Sequence, residues 1–313
     1  PASTLYASGK VLAAPATRRL AKEHGLDLDK VPATGKDGRV LKGDILAYLD
    51  GGVAHSQAET EAPVDSPLQR LEVVAGPVSD TVLPVKGIQK AMVRSMNASW
   101  SVPHFGYCDE VVMDGLMALR ATMKPLAEER GVKLSYLPIM LKAASLALKQ
   151  FPSLNAHVNP ECTEVVQRGA HNLGIAMDTP RGLVVPNVKN VESRSILEIA
   201  HELMRLQQAG GNNALTEADL TGGTFTLSNI GVIGGTYASP ILMPPQVAIG
   251  ALGKVERLPR YASADGDEVV PVHVMKVSWA ADHRVVDGAT MARFSNLWKA
   301  YLESPTTLIA DMK

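Results

Sequence analysis

The spacing of apolar side chains divides the chain into short stretches of two kinds. From Val274 to Trp279 they alternate with other residues in the two-residue period of a strand. From Gly288 onward Ala289, Ala292, Phe294, Leu297, Trp298 and Leu302 recur at helical spacing. His283 therefore falls on a strand-to-helix turn. The same reading predicts helices over 88–96, 116–129, 137–150 and 196–208, and strands over 104–112, 172–177, 182–188, 224–228, 247–251 and 273–279. The stretch 137–150 is so apolar that its helix must be buried. Strands and helices do not alternate regularly enough for a doubly wound sheet, so a two-layer α/β domain with a mixed sheet is expected over 85–313.

Ahead of it, residues 11–50 follow a different pattern. Pro15 suits a first helical turn and Gly25 a stop, a turn-rich loop runs from Gly35 to Arg39, and Leu41, Ile45, Leu46 and Leu49 return to helical spacing. Two short helices and a tight loop make a domain near the lower size limit for independent folding. Residues 51–84 read as a flexible linker, because 54–65 are polar and acidic and Pro63, Pro67, Pro77 and Pro84 favour extension. Residues 1–10 read as a linker remnant of a processed or truncated piece.

Composition narrows the function classes. With 31 basic and 32 acidic residues in 313, and 4% aromatics, the chain has neither the charge nor the stacking surface of a nucleic-acid binder. It has no apolar run long enough for a spanning helix. Its two cysteines, Cys108 and Cys162, imply neither a disulfide framework nor a metal site.

The chemistry concentrates on the turn Asp282-His283-Arg284-Val285-Val286-Asp287-Gly288. A histidine there can present its imidazole to a ligand while strand and helix hold it rigidly, as general base work requires. Asp287, at the helix start, can fix the loop through a charge-assisted hydrogen bond, and Gly288 allows close approach of the backbone. The bland alternative is a satisfied histidine beside a helix cap.

The longer context decides between them. Asp282 to Ala289, Leu220 to Gly231 with its Phe225-Thr226-Leu227-Ser228-Asn229 core, Met243-Pro244-Pro245 and Ala248 to Gly253 occur in the order found in the dihydrolipoamide acyltransferase components of 2-oxo acid dehydrogenase complexes. With Pro103 to Glu110 they resemble most closely the branched-chain branch of that family. Residues 11–50, with Gly35, Asp37, Gly38, Arg39 and Asp44, resemble the peripheral subunit-binding domain of the same proteins.

The resemblance implies a chloramphenicol acetyltransferase-like fold for the catalytic domain. It also implies trimers assembled into a cubic 24-mer and a mitochondrial matrix location. The implied reaction is transfer of a branched-chain acyl group from a lipoyl arm to coenzyme A, with His283 as base and Ser228 as oxyanion donor, the serine contributed by an adjoining protomer. Arg120, Ser135, Asp178, Gln207, Ser228, Asn229, Gly253 and Val255 match positions that contact coenzyme A in the branched-chain pattern. Arg120 suits a phosphate, Asp178 a ribose hydroxyl or adenine amine, and Gln207 either. Arg18, Arg19, Lys22 and Arg39 are expected to converge on one face. That face would dock acidic patches of the decarboxylating dehydrogenase and dihydrolipoamide dehydrogenase partners.

Asp29-Lys30-Val31 looks like a lipoate-bearing tripeptide, but Lys30 lies between two helices and not at a hairpin tip, so lipoate is expected on a lipoyl domain absent from this chain. Met92, Met96, Met140 and Met243 are expected to pack in the core or a trimer interface. Members of pyruvate and 2-oxoglutarate complexes, a non-catalytic scaffold and an antibiotic acetyltransferase remain as alternatives.

Overall fold

The computed structural model describes residues 11–49, 79–180, 182–263 and 265–312. The expected remnant 1–10, Asp50 at the end of the expected small domain, and residues 51–78 of the expected linker lie outside them. The chain divides into two compact units, Pro1–Val82 and Leu83–Lys313.

In the first unit, α1 (Pro15–Glu23) opens on Pro15 and α2 (Lys42–Leu49) follows the loop. Val40 donates its N–H to Leu12 O, and Val11, Ala21, Val31, Val40 and Ile45 form the small core. Asp44 closes the loop by accepting from Thr34 Oγ1 at 2.6 Å and Leu41 N–H at 2.8 Å. Lys30 ends a 3-10 turn, Leu28–Lys30, away from any hairpin.

In the second unit, α3 (Gly87–Trp100) precedes β1 (His104–Val112), α4 (Asp114–Glu129) and α5 (Leu137–Gln150). A hairpin of β2 (Ala156–Val158) and β3 (Val165–Gln167) leads to β4 (Leu173–Thr179), β5 (Gly182–Val184) and β6 (Asn187–Val188). Then come α6 (Ile196–Gly211), α7 (Glu217–Leu220) and β7 (Phe225–Asn229). The long strands β8 (Ala248–Tyr261) and β9 (Val269–Asp282) and the helices α8 (Gly288–Glu303) and α9 (Pro305–Asp311) complete it. The sheet order is β1-β9-β8-β7-β4-β5, with β6 also on β4. The β4–β7 and β7–β8 pairs are parallel and the rest antiparallel, so the sheet is mixed, as expected.

Several expected elements differ in extent. The strand expected over 182–188 breaks at Val185-Pro186, because proline brings no N–H to the ladder. Strands expected at 247–251 and 273–279 run much farther, since each supplies the other's partners out to the Tyr261↔Val269 pair. The hairpin β2–β3 and helix α9 were not foreseen.

The sheet has two unlike faces, set by the two-residue period. Phe225, Leu227 and Trp279 point to the helix-covered side, where Trp279 stacks edge-on against Phe294 and Trp298 of α8 at 5.2 and 5.1 Å. Helix α5 runs through this core with Leu137 to Leu148 all buried. Among them is Lys142, whose Nζ donates to the carbonyls of Val191, Glu192 and Arg194; burial pushes its pKa down. The alternate positions Thr226, Ser228, Ile249, Ser278 and Ala280 share the other face. There Ser99 of α3 donates to Leu242 O at 2.7 Å, tying helix and 240s segment together.

Candidate functional site

Asp282 ends β9 and is 1% exposed, yet it carries a carboxylate. Its oxygens accept from Arg284 N–H at 3.0 Å, Nε at 2.9 Å and Nη2 at 2.7 Å, while its carbonyl accepts from Val285 and Val286 N–H. The pairing raises the pKa of Arg284, mainly through these side-chain hydrogen bonds. The turn is thereby locked, which fixes where Val286 O points. His283 Nδ1 lies 2.9 Å from that oxygen. A carbonyl only accepts, so Nδ1 carries the proton and, in the neutral ring, Nε2 is left with its lone pair. The imidazole packs on Phe105 of β1, with ring centroids 4.9 Å apart. Gly288 is glycine because a Cβ there would come within 2.8 Å of the Phe105 ring.

Asp287 caps α8: Oδ1 accepts Thr290 N–H at 2.7 Å and Oδ2 accepts Thr290 Oγ1 at 3.0 Å. These bonds, the backbone one foremost, hold its carboxyl below the usual range. Its contacts fix the loop and do not reach the imidazole. Asp282 and Arg284 were quoted in the sequence motif without a role, although a carboxylate two residues before an arginine at a strand end is a readable signal for a pinned turn.

Ser228 stands elsewhere. The register pairs Ser228 with Ala251 and Ala251 with Ser278, two strands across and five residues before His283. Strand spacing and rise then separate the two Cα atoms by roughly 19 Å. A single chain does not bring this hydroxyl to this imidazole. Ser228 lines a cavity of about 380 Å³ with residues of α3, β4, β5, β8 and the 240s segment. Met92, Met96 and Met243 line it too; of the four methionines expected in the core or a trimer interface, Met140 belongs to the buried core.

Asp178, Gln207 and Asn229 do come together, around a cavity of about 330 Å³ between β4, α6 and the end of β7. Asn229 and Ser228, adjacent on one strand, serve opposite faces of the sheet. Arg120 donates Nε–H to Leu134 O at 2.9 Å and lies over the Tyr136 ring at 5.0 Å. Ser135 is exposed between those two residues, and the segment runs on into Leu137, which lines the same cavity. Gly253 and Val255 are not among its lining residues. Gly253 is buried in an irregularity of β8, where a Cβ would sit 2.1 Å from Thr236 O, and Val255 is 38% exposed opposite Met275. Of the glycines in 231–235, Gly231 serves close packing, since a Cβ there would sit 2.2 Å from Gly253 O, whereas Gly234 and Gly235 have open space around them and left-handed backbone, φ 153° and 86°.

His104, given no role from sequence, is satisfied structurally: Nδ1 lies 2.7 Å from Val102 O and Nε2 accepts Leu242 N–H at 3.0 Å. In the small unit Arg18, Arg19, Lys22 and Arg39 are all exposed. Arg18 and Lys22 border one concavity of about 530 Å³, and Arg18 reaches Val11 O. Arg39 precedes Val40, which pairs with the 12–13 backbone beside Val11.

Comparison with known proteins adds the following. The family described as 2-oxoacid dehydrogenases acyltransferase (catalytic domain) matches residues 77–310, and the one described as e3 binding domain matches 11–46. The chain is 52% identical, over 97% of its length, to the mouse protein named lipoamide acyltransferase component of branched-chain alpha-keto acid dehydrogenase complex, mitochondrial. It spans 65% of that relative's length. It is 36% identical over 96% of its length to the acetyltransferase component of the Bacillus subtilis pyruvate dehydrogenase complex, covering 69% of it. Among solved structures, Azotobacter vinelandii dihydrolipoamide acetyltransferase superposes with a TM-score of 0.70 at 31% identity, covering 74% of this chain and 94% of that one. That enzyme was studied for the role of a serine, a histidine and an asparagine four residues beyond it in its catalytic mechanism. The cubic core of a pyruvate dehydrogenase multienzyme complex gives 0.70 at 30% identity, over 77% of this chain and 98% of that one.

Proposed function

The chain belongs to the 2-oxoacid dehydrogenase acyltransferase family, and from that premise we propose that it moves a branched-chain acyl group from S-acyl-dihydrolipoamide to coenzyme A. The observation that carries the reading is the hydrogen bond from His283 Nδ1 to Val286 O, which commits that nitrogen as the donor and leaves Nε2 as the atom that can act as the base. His283 takes the thiol proton of coenzyme A, and the thiolate adds to the thioester carbonyl. Ser228 donates to the oxyanion formed, and collapse expels the dihydrolipoyl sulfur, to which His283 returns the proton. Because roughly 19 Å separates the two residues along one sheet, Ser228 is supplied by a neighbouring protomer, and the chain acts as a trimer built into a cubic core. Asp287 acts as a positioning residue through its cap.

Asp178, Gln207 and Asn229 hold the nucleotide end of coenzyme A, with Arg120 and Ser135 alongside; Gly253 and Val255 contribute backbone contacts. The acyl group arrives on lipoate carried by a lipoyl domain. The small unit docks the decarboxylating dehydrogenase and dihydrolipoamide dehydrogenase through Arg18, Arg19, Lys22 and Arg39. The mitochondrial names of the mouse, bovine and nematode relatives support placement in the matrix.

The test is thioester formation on coenzyme A from S-isobutyryl-, S-acetyl- and S-succinyl-dihydrolipoamide. Isobutyryl should be fastest, and no transfer from any of the three would end the proposal. For docking, the double change Arg18→Ala, Arg39→Ala should weaken capture of either dehydrogenase while the small unit keeps its circular dichroism; unchanged affinity would remove the basic face from the account.

A further inference from the structure

His104 stands between the two half-sites. Its neighbours Pro103 and Phe105 both support His283: Pro103 O accepts the His283 N–H at 2.9 Å, and the Phe105 ring lies 4.9 Å from the imidazole. His104 itself turns to the opposite face of β1, shared with Gly106, Cys108 and Ala280, because successive side chains of a strand alternate. There its Nδ1–H donates to Val102 O at 2.7 Å and its Nε2 accepts the Leu242 N–H at 3.0 Å. With the Nε2 lone pair used in this way, the ring is not a second base. What it holds is a wall of the Ser228 cavity. Leu242 is buried and packs with Ile249, Ala280 and Val102, and its chain neighbours Ile241 and Met243 line that cavity. Residues 237–243 belong to no helix or strand, and the Leu242 carbonyl is taken by Ser99 Oγ at 2.7 Å. Both backbone polar groups of Leu242 are therefore satisfied by side chains from outside the segment.

From this geometry we infer that His104 is a positioning residue of the serine half-site. Anchored on the strand that supports His283, it fixes the 240s segment through the Leu242 N–H, and with it the line along which a thioester carbonyl approaches Ser228 Oγ. The inference rests on the acyltransferase reading above, including the sharing of each site between protomers. A displacement of about 1 Å from a reactive alignment can cost on the order of 100-fold in rate, so loss of the anchor should lower turnover by about 10- to 100-fold.

Each protomer gives its histidine half to one site and its serine half to another, so mixed trimers separate the two. Chains carrying His283→Ala and chains carrying Ser228→Ala are co-expressed, and the restored sites join His283 of the second chain to Ser228 of the first. His104→Asn keeps a donor near the Nδ1 position but is too short to reach Leu242. Placed in the His283→Ala chain, it should lower kcat/KM for S-isobutyryl-dihydrolipoamide about 10- to 100-fold while KM for coenzyme A stays nearly constant. Placed in the Ser228→Ala chain, it should change the rate little. His104→Gln, whose amide oxygen reaches the Nε2 position, should restore most of the rate in the first placement. Equal losses in both placements, no loss in the first, or a His104→Gln chain as slow as His104→Asn would overturn the inference and leave the acyltransferase reading intact. Should His104→Asn not assemble, Ser99→Ala, which removes the other backbone bond of Leu242, goes through the same two placements with the same expectations. An inactive mixture of the two parent chains would instead take down the shared site, and the inference with it.

Discussion

Nearly everything that holds the His283 imidazole lies within eight residues of it. Asp282 and Arg284 lock the turn, Val286 O accepts the Nδ1 hydrogen bond, and Asp287 starts the next helix; the neighbouring strand adds Phe105 against the ring and Pro103 O, which accepts His283 N–H at 2.9 Å. The surroundings of Ser228 are the reverse. Its cavity draws on α3, β4, β5, β7, β8 and the 240s segment, more than 150 residues of chain from Met92 to Ile249. A half-site built locally keeps its geometry whatever happens elsewhere in the fold; one built from many segments can be reshaped by any of them. The histidine half is therefore the less sensitive to changes elsewhere in the fold, and the serine half the more sensitive.

The sharpest way to break this comparison is to remove each functional atom. His283→Ala should lower kcat by about two to four orders of magnitude, the usual worth of a positioned base, with the assembled particle unchanged by light scattering. Retained turnover would refute the base assignment. Ser228→Ala should cost somewhat less, about two to three orders of magnitude, as for other oxyanion donors. It should also leave donor KM nearly constant, because the hydrogen bond strengthens only in the transition state. Asp282→Ala comes next. It leaves Arg284 without its partner and frees the turn, at a cost of about 1–3 kcal/mol in unfolding free energy. Its kcat should fall with little change in KM for coenzyme A, since none of the contacts proposed for it, on α4, β4, α6, β7, β8 and at Ser135, lies in this turn. A rise in that KM equal to the fall in kcat would show that the halves are not independent.

The same contrast explains what the sequence discloses. His283, Asp287 and the strand-to-helix turn around them are legible because the period switch and the motif occupy consecutive residues. The mixed sheet and the buried α5 follow from patterning for the same reason, and α5 is mistaken only in hiding Lys142, whose three carbonyl partners come from 191–194. Met92, Met96 and Met243 could not be told from core methionines, since their exposure depends on where three separate segments pass. The grouping of Asp178, Gln207 and Asn229 was visible only through family resemblance, because no spacing links positions on two strands and a helix. Gly253 and Val255 carry the opposite lesson: a matched position says nothing of why the residue is there, and Gly253 is required by the carbonyl of Thr236.

The smallest effect is the most direct measure of how local the histidine half is. Asp287 accepts the Thr290 N–H and hydroxyl, and those bonds lower its pKa in the folded chain. A carboxyl with a depressed folded value contributes stability above the ordinary aspartate pKa of about 4 and loses it as the pH falls through the lower folded value. Asparagine also caps helices but does not titrate in this range. Asp287→Asn should therefore keep the Tm near neutrality and show a smaller decline of Tm between neutral and acid pH than the unaltered chain, whereas Asp287→Ala should lose stability at neutral pH already. In both, kcat should fall far less than in His283→Ala, since the cap orients the loop without touching the imidazole. If Asp287→Asn instead matched His283→Ala in rate while keeping its Tm, the carboxylate would have to act in the reaction itself, and the division between a chemical atom and its mechanical support would fail at the one place where it can be tested by a single oxygen.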